Sequence, residues 1–322
     1  MAGLQSFVQH PRSWLVPLKA TGLLGASALM LGAHYSHPPL RSPGRSEQSA
    51  TSSVEILAGH ADAITISRWS PDRTFRRVTV KEWGRQAALD SAQLATILKI
   101  NRVDQRHARR GTLLVPDSIA AELSYSPLPE SLPEFRGIPK FVVVSRRVQA
   151  FGAYEDGVLV RWGPTSTGKA ATPTDSGLFF TNWKARQAIS TDDPTWVLDW
   201  YVNFIAQKGV AFHEYSLPGA PASHGCVRLL EDDAKWMYRW TEQWIPGRGS
   251  AVKRYGTPVL VTGDYDYSAP APWLALAEDP TADRVTAVEL EVALLPHLER
   301  LIPHRGQAPP SLALQTGAFS GS

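Results

Sequence analysis

The sequence predicts a mostly β protein with few helices. Short segments rich in Val, Phe, Tyr and Trp recur between Gly and Pro turns across residues 139–263, which is typical of β-strands. Asp156-Gly157 separates two of these segments, as in a two-residue hairpin. Helical periodicity is confined to a few stretches. These observations favour one mostly β domain of about 125 residues.

Each element follows from a local pattern. The predicted strands of the domain are 140–145, 148–154, 157–162, 177–183, 209–213 and 257–262. The best helix covers Leu230–Gln243, where Trp236, Trp240 and Trp244 recur at i, i+4 and i+8. That spacing predicts a tryptophan face turned towards the core rather than a sugar-binding platform.

The remaining sequence divides into segments of different composition. Residues 36–53 are rich in Pro and Ser and predict a flexible tether. Residues 54–124 predict a small α+β module with a strand at 77–80, a helix at 92–100 and a strand at 112–116. Residues 125–138 predict a stiff Pro-rich linker, and residues 264–322 a Pro-rich tail with one amphipathic helix at 287–301.

The N-terminal residues 1–35 predict an export signal. Arg12 and Lys19 precede an uncharged apolar run from Ala20 to Ala33. Fourteen helical residues reach roughly 21 Å, less than the ~30 Å hydrocarbon core of a bilayer. An uncleaved signal anchor over Trp14–Ser36 is the alternative. Either reading places the body of the chain outside the cytoplasm, in the periplasm or cell envelope.

Composition and charge exclude several classes of function. The 322 residues are 43% hydrophobic, which excludes a wholly disordered chain. The net charge of +3 is too small to indicate nucleic-acid binding. The single cysteine, Cys226, excludes an internal disulfide and a thiolate metal cage. The histidines show no ligand spacing, so we expect neither metal nor cofactor.

One glycine-rich stretch imitates a phosphate-binding loop. Residues 163–169 follow the Walker A spacing, but Ala170 stands where a magnesium-binding hydroxyl is needed. The sequence after it cannot begin a helix, so the dipole that helps such loops bind phosphate is missing. Nucleotide binding is therefore not expected.

Candidate catalytic residues are concentrated in residues 209–229. Cys226 lies two residues after His224 and thirteen after His213, which ends an apolar segment. A free thiol has a pKa of about 8.5 and is a poor nucleophile at neutral pH. A histidine that takes the proton stabilises a thiolate–imidazolium pair and lowers the thiol pKa to roughly 3.5–7.5. The residue types predict a Cys–His site for acyl transfer.

Two neighbours of the cysteine have further predicted roles. Gly225 lets the backbone approach a substrate carbonyl, whose oxyanion the nearby N–H groups would bind. Arg228 lies on the same face of an extended segment as Cys226 and is suited to bind a carboxylate. A structural ion pair between Arg228 and Glu231 or Asp232 is an equal alternative.

The motif Ser223-His224-Gly225-Cys226-Val227-Arg228 resembles the signature of the L,D-transpeptidases, the YkuD-type cysteine enzymes of the bacterial cell wall. The similarity extends upstream through residues 148–169 and the Thr-Pro turn at 171–174, although the spacer 214–222 is shorter than is usual. The resemblance implies a β-sandwich-like catalytic domain at 139–263. It also implies Cys226 as nucleophile and His213 as base, with Ser223, His224, Gly225 and Arg228 supporting the pocket.

The resemblance also implies a reaction on peptidoglycan stems. The thiolate attacks the L-centre carbonyl of the third residue of a tetrapeptide stem, and D-alanine leaves. An amine then resolves the thioester, which gives a 3→3 cross-link or a protein anchored to the wall. Water as acceptor would make the protein an L,D-carboxypeptidase, and a non-catalytic wall-binding protein is a further alternative. Residues 78–81, 97–101 and 110–116 weakly resemble a LysM wall-binding repeat.

Overall fold

The structure is a computed structural model and describes residues 73–79, 91–109, 111–248 and 252–304, all within one compact unit, Thr65–Ser322. The predicted export signal at 1–35 and tether at 36–53 lie outside the described residues. Within the described ranges, none of the helices has the length and apolar character needed to cross a membrane.

The described chain is built mainly from β-strands. The strands are β1 Phe75–Thr79, β2 Thr112–Pro116, β3 Phe141–Ser145, β4 Ala150–Glu155, β5 Val158–Ser166, β6 Gly177–Phe180, β7 Lys184–Ile189, β8 Val197–Ile205, β9 Val210–Glu214, β10 Val227–Leu229, β11 Ile245–Pro246, β12 Val252–Arg254 and β13 Pro258–Thr262. The α-helices are α1 Ser91–Ile100, α2 Glu231–Trp240, α3 Ala287–Leu294 and α4 Leu298–Leu301. The predicted mostly β fold with few helices is confirmed.

A nine-stranded sheet in the order β6-β13-β3-β4-β5-β10-β9-β8-β7 forms the main body of the described chain. Most neighbours are antiparallel, but β13 runs parallel to β3 and β10 runs parallel to β9. The sheet curls so that side chains of β3 and β4 share a buried cluster with side chains of β8, β9 and β10. Alternate residues of β3 face opposite sides, with Val142 and Val144 in this inner cluster and Phe141 and Val143 in an outer one.

The outer cluster joins the three parts of the described chain. Phe75, Ile100 and Leu114 from the β1–α1–β2 segment pack with residues of the sheet and with Trp273 and Leu290 of the C-terminal segment. The β1–α1–β2 order agrees with the predicted strand–helix–strand module. Its similarity to a LysM repeat stays a prediction.

The segment predicted as a stiff linker, 125–138, is buried in the same cluster. Leu128, Leu132 and Phe135 are each 1% exposed or less. The prolines do hold this segment in extended and 3-10 conformations, but the apolar residues between them cover the sheet. The proline content alone therefore does not reveal that the apolar residues between the prolines pack against the sheet.

Two further local predictions have different outcomes. The hairpin at Asp156-Gly157 is confirmed, with φ of 48° and 80° as the two-residue turn requires. The tryptophan face of α2 is only partly a core face. Trp236 and Trp240 are half-buried and stack at 4.8 Å, whereas the fully buried side chains of the helix include Ala234 and Met237.

Candidate active site

The parallel pairing of β9 with β10 brings His213 and Cys226 to one pocket. Arg228 is directly opposite His213 in this register, and Val227 is opposite Phe212. Val227 and Phe212 both belong to the inner core. Because side chains alternate along a strand, His213, Cys226 and Arg228 lie on the other face, where they line one open pocket.

The β7–β8 hairpin supplies the opposite wall of this pocket. Its contribution consists of one charged, one hydroxyl and two apolar side chains: Asp192, Ser190, Trp196 and Leu198. Neither strand of this hairpin and none of these four pocket residues is predicted by the sequence patterns described above. The charged residues of β7 obscure the alternation of apolar and polar side chains that would mark it as a strand. The run of apolar and aromatic residues from Val197 to Ile205, by contrast, is typical of a strand and is the signal that could have identified β8.

The imidazole of His213 is buried and held by a backbone contact. It is 3% exposed, and its Nδ1 lies 2.9 Å from the backbone oxygen of Glu214. A carbonyl only accepts hydrogen bonds, so this contact assigns the proton to Nδ1 and leaves the lone pair on Nε2. Burial lowers the pKa of His213 to about 4, and the positive charge of Arg228 also lowers it. At neutral pH the imidazole therefore carries no charge.

The thiol of Cys226 is also neutral at rest. Burial raises its pKa to about 11, against a smaller opposing effect of a hydrogen bond from the backbone of Ala211. The carboxylate of Asp192 raises this pKa further. The pKa shifts of the thiol and of His213 thus disfavour the thiolate–imidazolium pair that the sequence predicts. The physical reason is burial of both groups, which the sequence pattern does not reveal.

The turn before the cysteine is held by Ser223. Its Oγ accepts the Gly225 N–H at 3.1 Å and donates to the Cys226 backbone oxygen at 2.5 Å. Gly225 has φ of +114°, a conformation that favours glycine. The Gly225 N–H is therefore engaged inside the turn rather than directed at a substrate oxygen. Ser223 acts on the shape of the loop.

The glycine-rich stretch that imitates a phosphate loop supports the same turn. Thr174 Oγ1 donates to the backbone oxygen of Gly225 at 2.8 Å and accepts the Gly168 N–H at 2.9 Å. The Lys169 N–H donates to the backbone oxygen of Ser223 at 3.0 Å. A side chain at Gly168 would place its Cβ 2.0 Å from the Thr172 backbone oxygen. This close packing explains why the stretch needs glycine without any nucleotide.

His224 occupies the edge of the pocket and has a different environment from His213. It is exposed, its Nε2 lies 2.8 Å from Lys169 Nζ, and its ring lies 5.1 Å from that of Trp196. The ammonium can only donate, so it engages the nitrogen lone pair that a base would need.

Arg228 is not part of the ion pair offered as the alternative to substrate binding. Within the described residues it has no salt bridge, and Glu231 is instead paired with Lys235 at 2.7 Å. The guanidinium lies 4.6 Å from the Tyr215 ring centroid and makes a long 3.5 Å hydrogen bond to the Ser216 oxygen. The described residues thus contain no ion pair of Arg228 with Glu231 or Asp232, and the cation lines the pocket without a carboxylate partner among them.

Comparison with known proteins identifies the segment that carries this site. Residues 139–261 match the family model of YkuD, the L,D-transpeptidase catalytic domain, which confirms the predicted resemblance. No curated protein matches the chain. Similar solved structures include L,D-transpeptidases from Mycobacterium smegmatis, 25% identical over 39% of this chain and 59% of that one, and from Stackebrandtia nassauensis, 26% identical over 39% and 56%. Both have a TM-score of 0.32, and the matched part spans less than two thirds of either protein.

Proposed function

We propose that this protein is an exported peptidoglycan L,D-transpeptidase with Cys226 as the nucleophile and His213 as the general base. The observation that carries the proposal is the parallel β9–β10 pairing. It places the single thiol of the chain and a buried neutral imidazole in one pocket of the segment that matches the family. Acyl transfer through a thioester requires this pair of groups.

The first half-reaction would form the thioester. As Cys226 Sγ attacks the L-centre carbonyl of the third residue of a tetrapeptide stem, its proton moves to Nε2 of His213. Because both groups are neutral at rest, proton transfer accompanies the attack and does not precede it. Collapse of the tetrahedral intermediate breaks the peptide bond, and the imidazolium returns the proton to the departing amine of D-alanine.

The second half-reaction would transfer the acyl group to an acceptor. An amine attacks the thioester, His213 takes its proton, and the thiol is regenerated when the C–S bond breaks. Selection of an amine over water requires a site that orients the acceptor and limits water. Trp196, Leu198 and Tyr215 give this pocket an apolar lining, which supports transfer to an amine over hydrolysis.

The products of one incubation distinguish the three functions under consideration. Purified protein is mixed with muropeptides that carry tetrapeptide stems, and the products are separated and weighed by mass spectrometry. Cross-linked dimers would support the transpeptidase, tripeptides the carboxypeptidase, and unchanged substrate the non-catalytic wall-binding protein.

Two variants test the assigned roles. Cys226→Ala should lose all turnover, and also the covalent carbapenem adduct that the family resemblance implies. An adduct on Cys226→Ala would contradict the role of nucleophile. His213→Ala should lose about 10²–10⁴-fold in rate, the usual loss for a general base. His224→Ala is the matched control, and a larger loss there than at His213 would reverse the assignment.

Export of the catalytic domain is part of the proposal, since the substrate lies outside the cytoplasmic membrane. A reporter fused after residue 322 should be active only outside, and the N-terminus of the mature protein would show whether the signal is cleaved near Ala33. A full-length cytoplasmic protein would contradict this part of the proposal.

A further inference from the structure

The segment between β9 and the turn before Cys226 is held from two sides. This segment, residues 214–222, is called the His–Cys connection below. On one side, Ser166 Oγ of β5 accepts the Ala222 N–H at 3.0 Å and donates to the Ala220 backbone oxygen at 2.7 Å. The other side lies against the residues that follow α1. The His–Cys connection is therefore fixed partly by the β1–α1–β2 segment.

Asp104, just after α1, pairs with both backbone groups of Leu217. Its backbone N–H donates to the Leu217 oxygen at 3.0 Å, and its carboxylate accepts the Leu217 N–H at 2.9 Å. An isolated antiparallel bridge joins Val103 to Pro218 beside this pair. Leu217 is fully buried, so its backbone groups depend on these two bonds rather than on water. The chain after α1 thus fixes the middle of the His–Cys connection.

The two segments approach closely, and the carboxylate between them is itself held in place. Gly219 has φ of +81°, and a Cβ at this position would lie 3.1 Å from Cγ1 of Val103. The Asp104 carboxylate also accepts the His107 N–H at 2.8 Å. Burial raises the pKa of Asp104, but hydrogen bonds from His107 and Leu217 outweigh this effect and lower the pKa below its ordinary value. The carboxylate is therefore charged at neutral pH, and a charged acceptor forms the stronger hydrogen bond.

The His–Cys connection begins with the residue that orients the imidazole. The backbone oxygen of Glu214 lies 2.9 Å from Nδ1 of His213, and the Tyr215 ring centroid lies 6.0 Å from that of the imidazole. Only two residues separate Glu214 from Leu217. A shift of the backbone at Leu217 therefore moves the acceptor that fixes the tautomer and the direction of the His213 ring.

We propose that Asp104 is a positioning residue for the acyl-transfer reaction, because it holds the His–Cys connection so that Nε2 of His213 faces the thiol of Cys226. The inference rests on the proposed function. It gives the β1–α1–β2 segment a part in catalysis that is separate from any binding of glycan. Asp104 does not line the pocket around the thiol, so it acts through the backbone of the connection and not on the substrate. A misplacement of a catalytic group by about 1 Å costs about 10²-fold in rate.

Asp104→Ala removes the carboxylate and keeps the backbone bond to the Leu217 oxygen. We measure kcat and KM for thioester formation with a free tetrapeptide stem and with the same stem on its disaccharide. The value of kcat should fall about tenfold with both substrates and KM should change little, because alignment of the base is lost and substrate binding is not. A loss confined to the disaccharide-linked stem would mean that the segment acts by binding glycan, and would overturn the inference. Turnover by the wild-type protein tests the proposed function separately.

A second measurement tests the positioning whether or not the stems are turned over. The nitrogen NMR signals of His213, assigned by their absence from His213→Gln, report which ring nitrogen carries the proton. The wild-type protein should show the Nδ1–H tautomer alone, and Asp104→Ala should show a mixture of the two neutral tautomers. An unchanged spectrum in Asp104→Ala would contradict the inference, even for an active transpeptidase.

Asp283→Asn is the control for a general loss of stability. Asp283 pairs with Arg102, two residues before Asp104, but it does so from the C-terminal segment and makes no hydrogen bond to the His–Cys connection. It should lower the melting temperature and leave kcat and the His213 tautomer unchanged. Asp104→Asn keeps one oxygen that can accept the Leu217 N–H, so it should recover most of the rate. Equal mixing of tautomers in Asp283→Asn, or no recovery with asparagine, would mean that a general loosening explains the loss, and the positioning role would be wrong.

Discussion

Charged side chains of this protein occur in two contrasting environments. Beneath the sheet, Arg102 and Asp283 form an ion pair at 2.6 Å, with side chains only 1% and 4% exposed. The guanidinium lies between the rings of Trp162 and Trp273, at 5.4 and 5.3 Å from their centroids. Around the thiol, the charges of Asp192 and Arg228 have no such partners in the described residues.

A second buried cluster repeats the paired pattern. Lys99 of α1 and Arg161 of β5 both contact Asp233 of α2, at 3.2 and 2.5 Å. These two pairs connect the β1–α1–β2 segment and α2 to the sheet, while the Arg102–Asp283 pair connects the β1–α1–β2 segment to the C-terminal segment. The contrast between the paired charges and the unpaired charges of the pocket indicates which of them have a structural role. Where a charge is paired inside the protein it holds segments together, and where it is unpaired in a pocket it is available to a ligand.

The largest expected effect comes from breaking the buried pair. Asp283→Asn leaves the guanidinium of Arg102 buried without a counter-charge, and the loss of one partner of a buried pair costs about 3–5 kcal/mol. The free energy of unfolding, measured by urea denaturation, should fall by that amount. Catalysis by the folded fraction should persist, because neither residue lines the pocket.

Asp192→Asn provides the contrast for this measurement. Its carboxylate is exposed and has no partner among the residues that the structure describes, so the free energy of unfolding should change by less than about 0.5 kcal/mol. A loss at Asp192 as large as that at Asp283 would remove the distinction between the two sets of charges.

The pH dependence of stability sharpens the comparison at the pocket itself. The pKa of His213 is about 4 in the folded protein and 6.5 in its ordinary state, so the unfolded chain binds a proton first as the pH falls. The contribution of the neutral His213 to the free energy of unfolding is fully present above pH 6.5 and is lost as the pH falls from 6.5 to 4. A shift of this size corresponds to about 3 kcal/mol. His213→Gln should therefore show a shallower fall of unfolding free energy than wild type over this interval, and parallel curves would contradict the neutral assignment.

The guanidinium of Arg228 provides a smaller test. Arg228→Lys keeps the charge but loses the planar fork that binds a carboxylate through two hydrogen bonds. We expect kcat/KM for thioester formation to fall about tenfold, equivalent to about 1.4 kcal/mol, with an unchanged melting temperature. Arg239→Lys, on the exposed side of α2, is the control. A parallel loss of stability and activity would indicate a structural role for Arg228.

The sequence predicted the elements that short motifs encode. The strands around Phe141–Ser145 and Val210–Glu214, the hairpin at 156–157 and the Cys–His pocket all depend on local patterns. Asp192 could not be predicted, since one exposed aspartate in a turn has no sequence signal until the hairpin folds over the thiol. The neutral state of Cys226 and His213 likewise depends on burial, which long-range packing of the curled sheet determines.

The smallest expected loss of catalytic rate concerns the turn that presents the thiol. Ser223→Ala removes both hydrogen bonds of the serine hydroxyl and leaves the Gly225 N–H without its acceptor. The substitution does not change Gly225 itself, so the positive φ of that residue remains sterically allowed. Leaving buried backbone groups without a hydrogen-bond partner costs about 1–3 kcal/mol, so the melting temperature should decrease by several degrees. The rate of thioester formation should decrease about fivefold, because the thiol is less well aligned with His213. Ser223→Thr keeps the hydroxyl and should restore most of the rate. A loss as severe as that of Cys226→Ala, not restored by threonine, would mean that Ser223 takes a direct part in the chemistry.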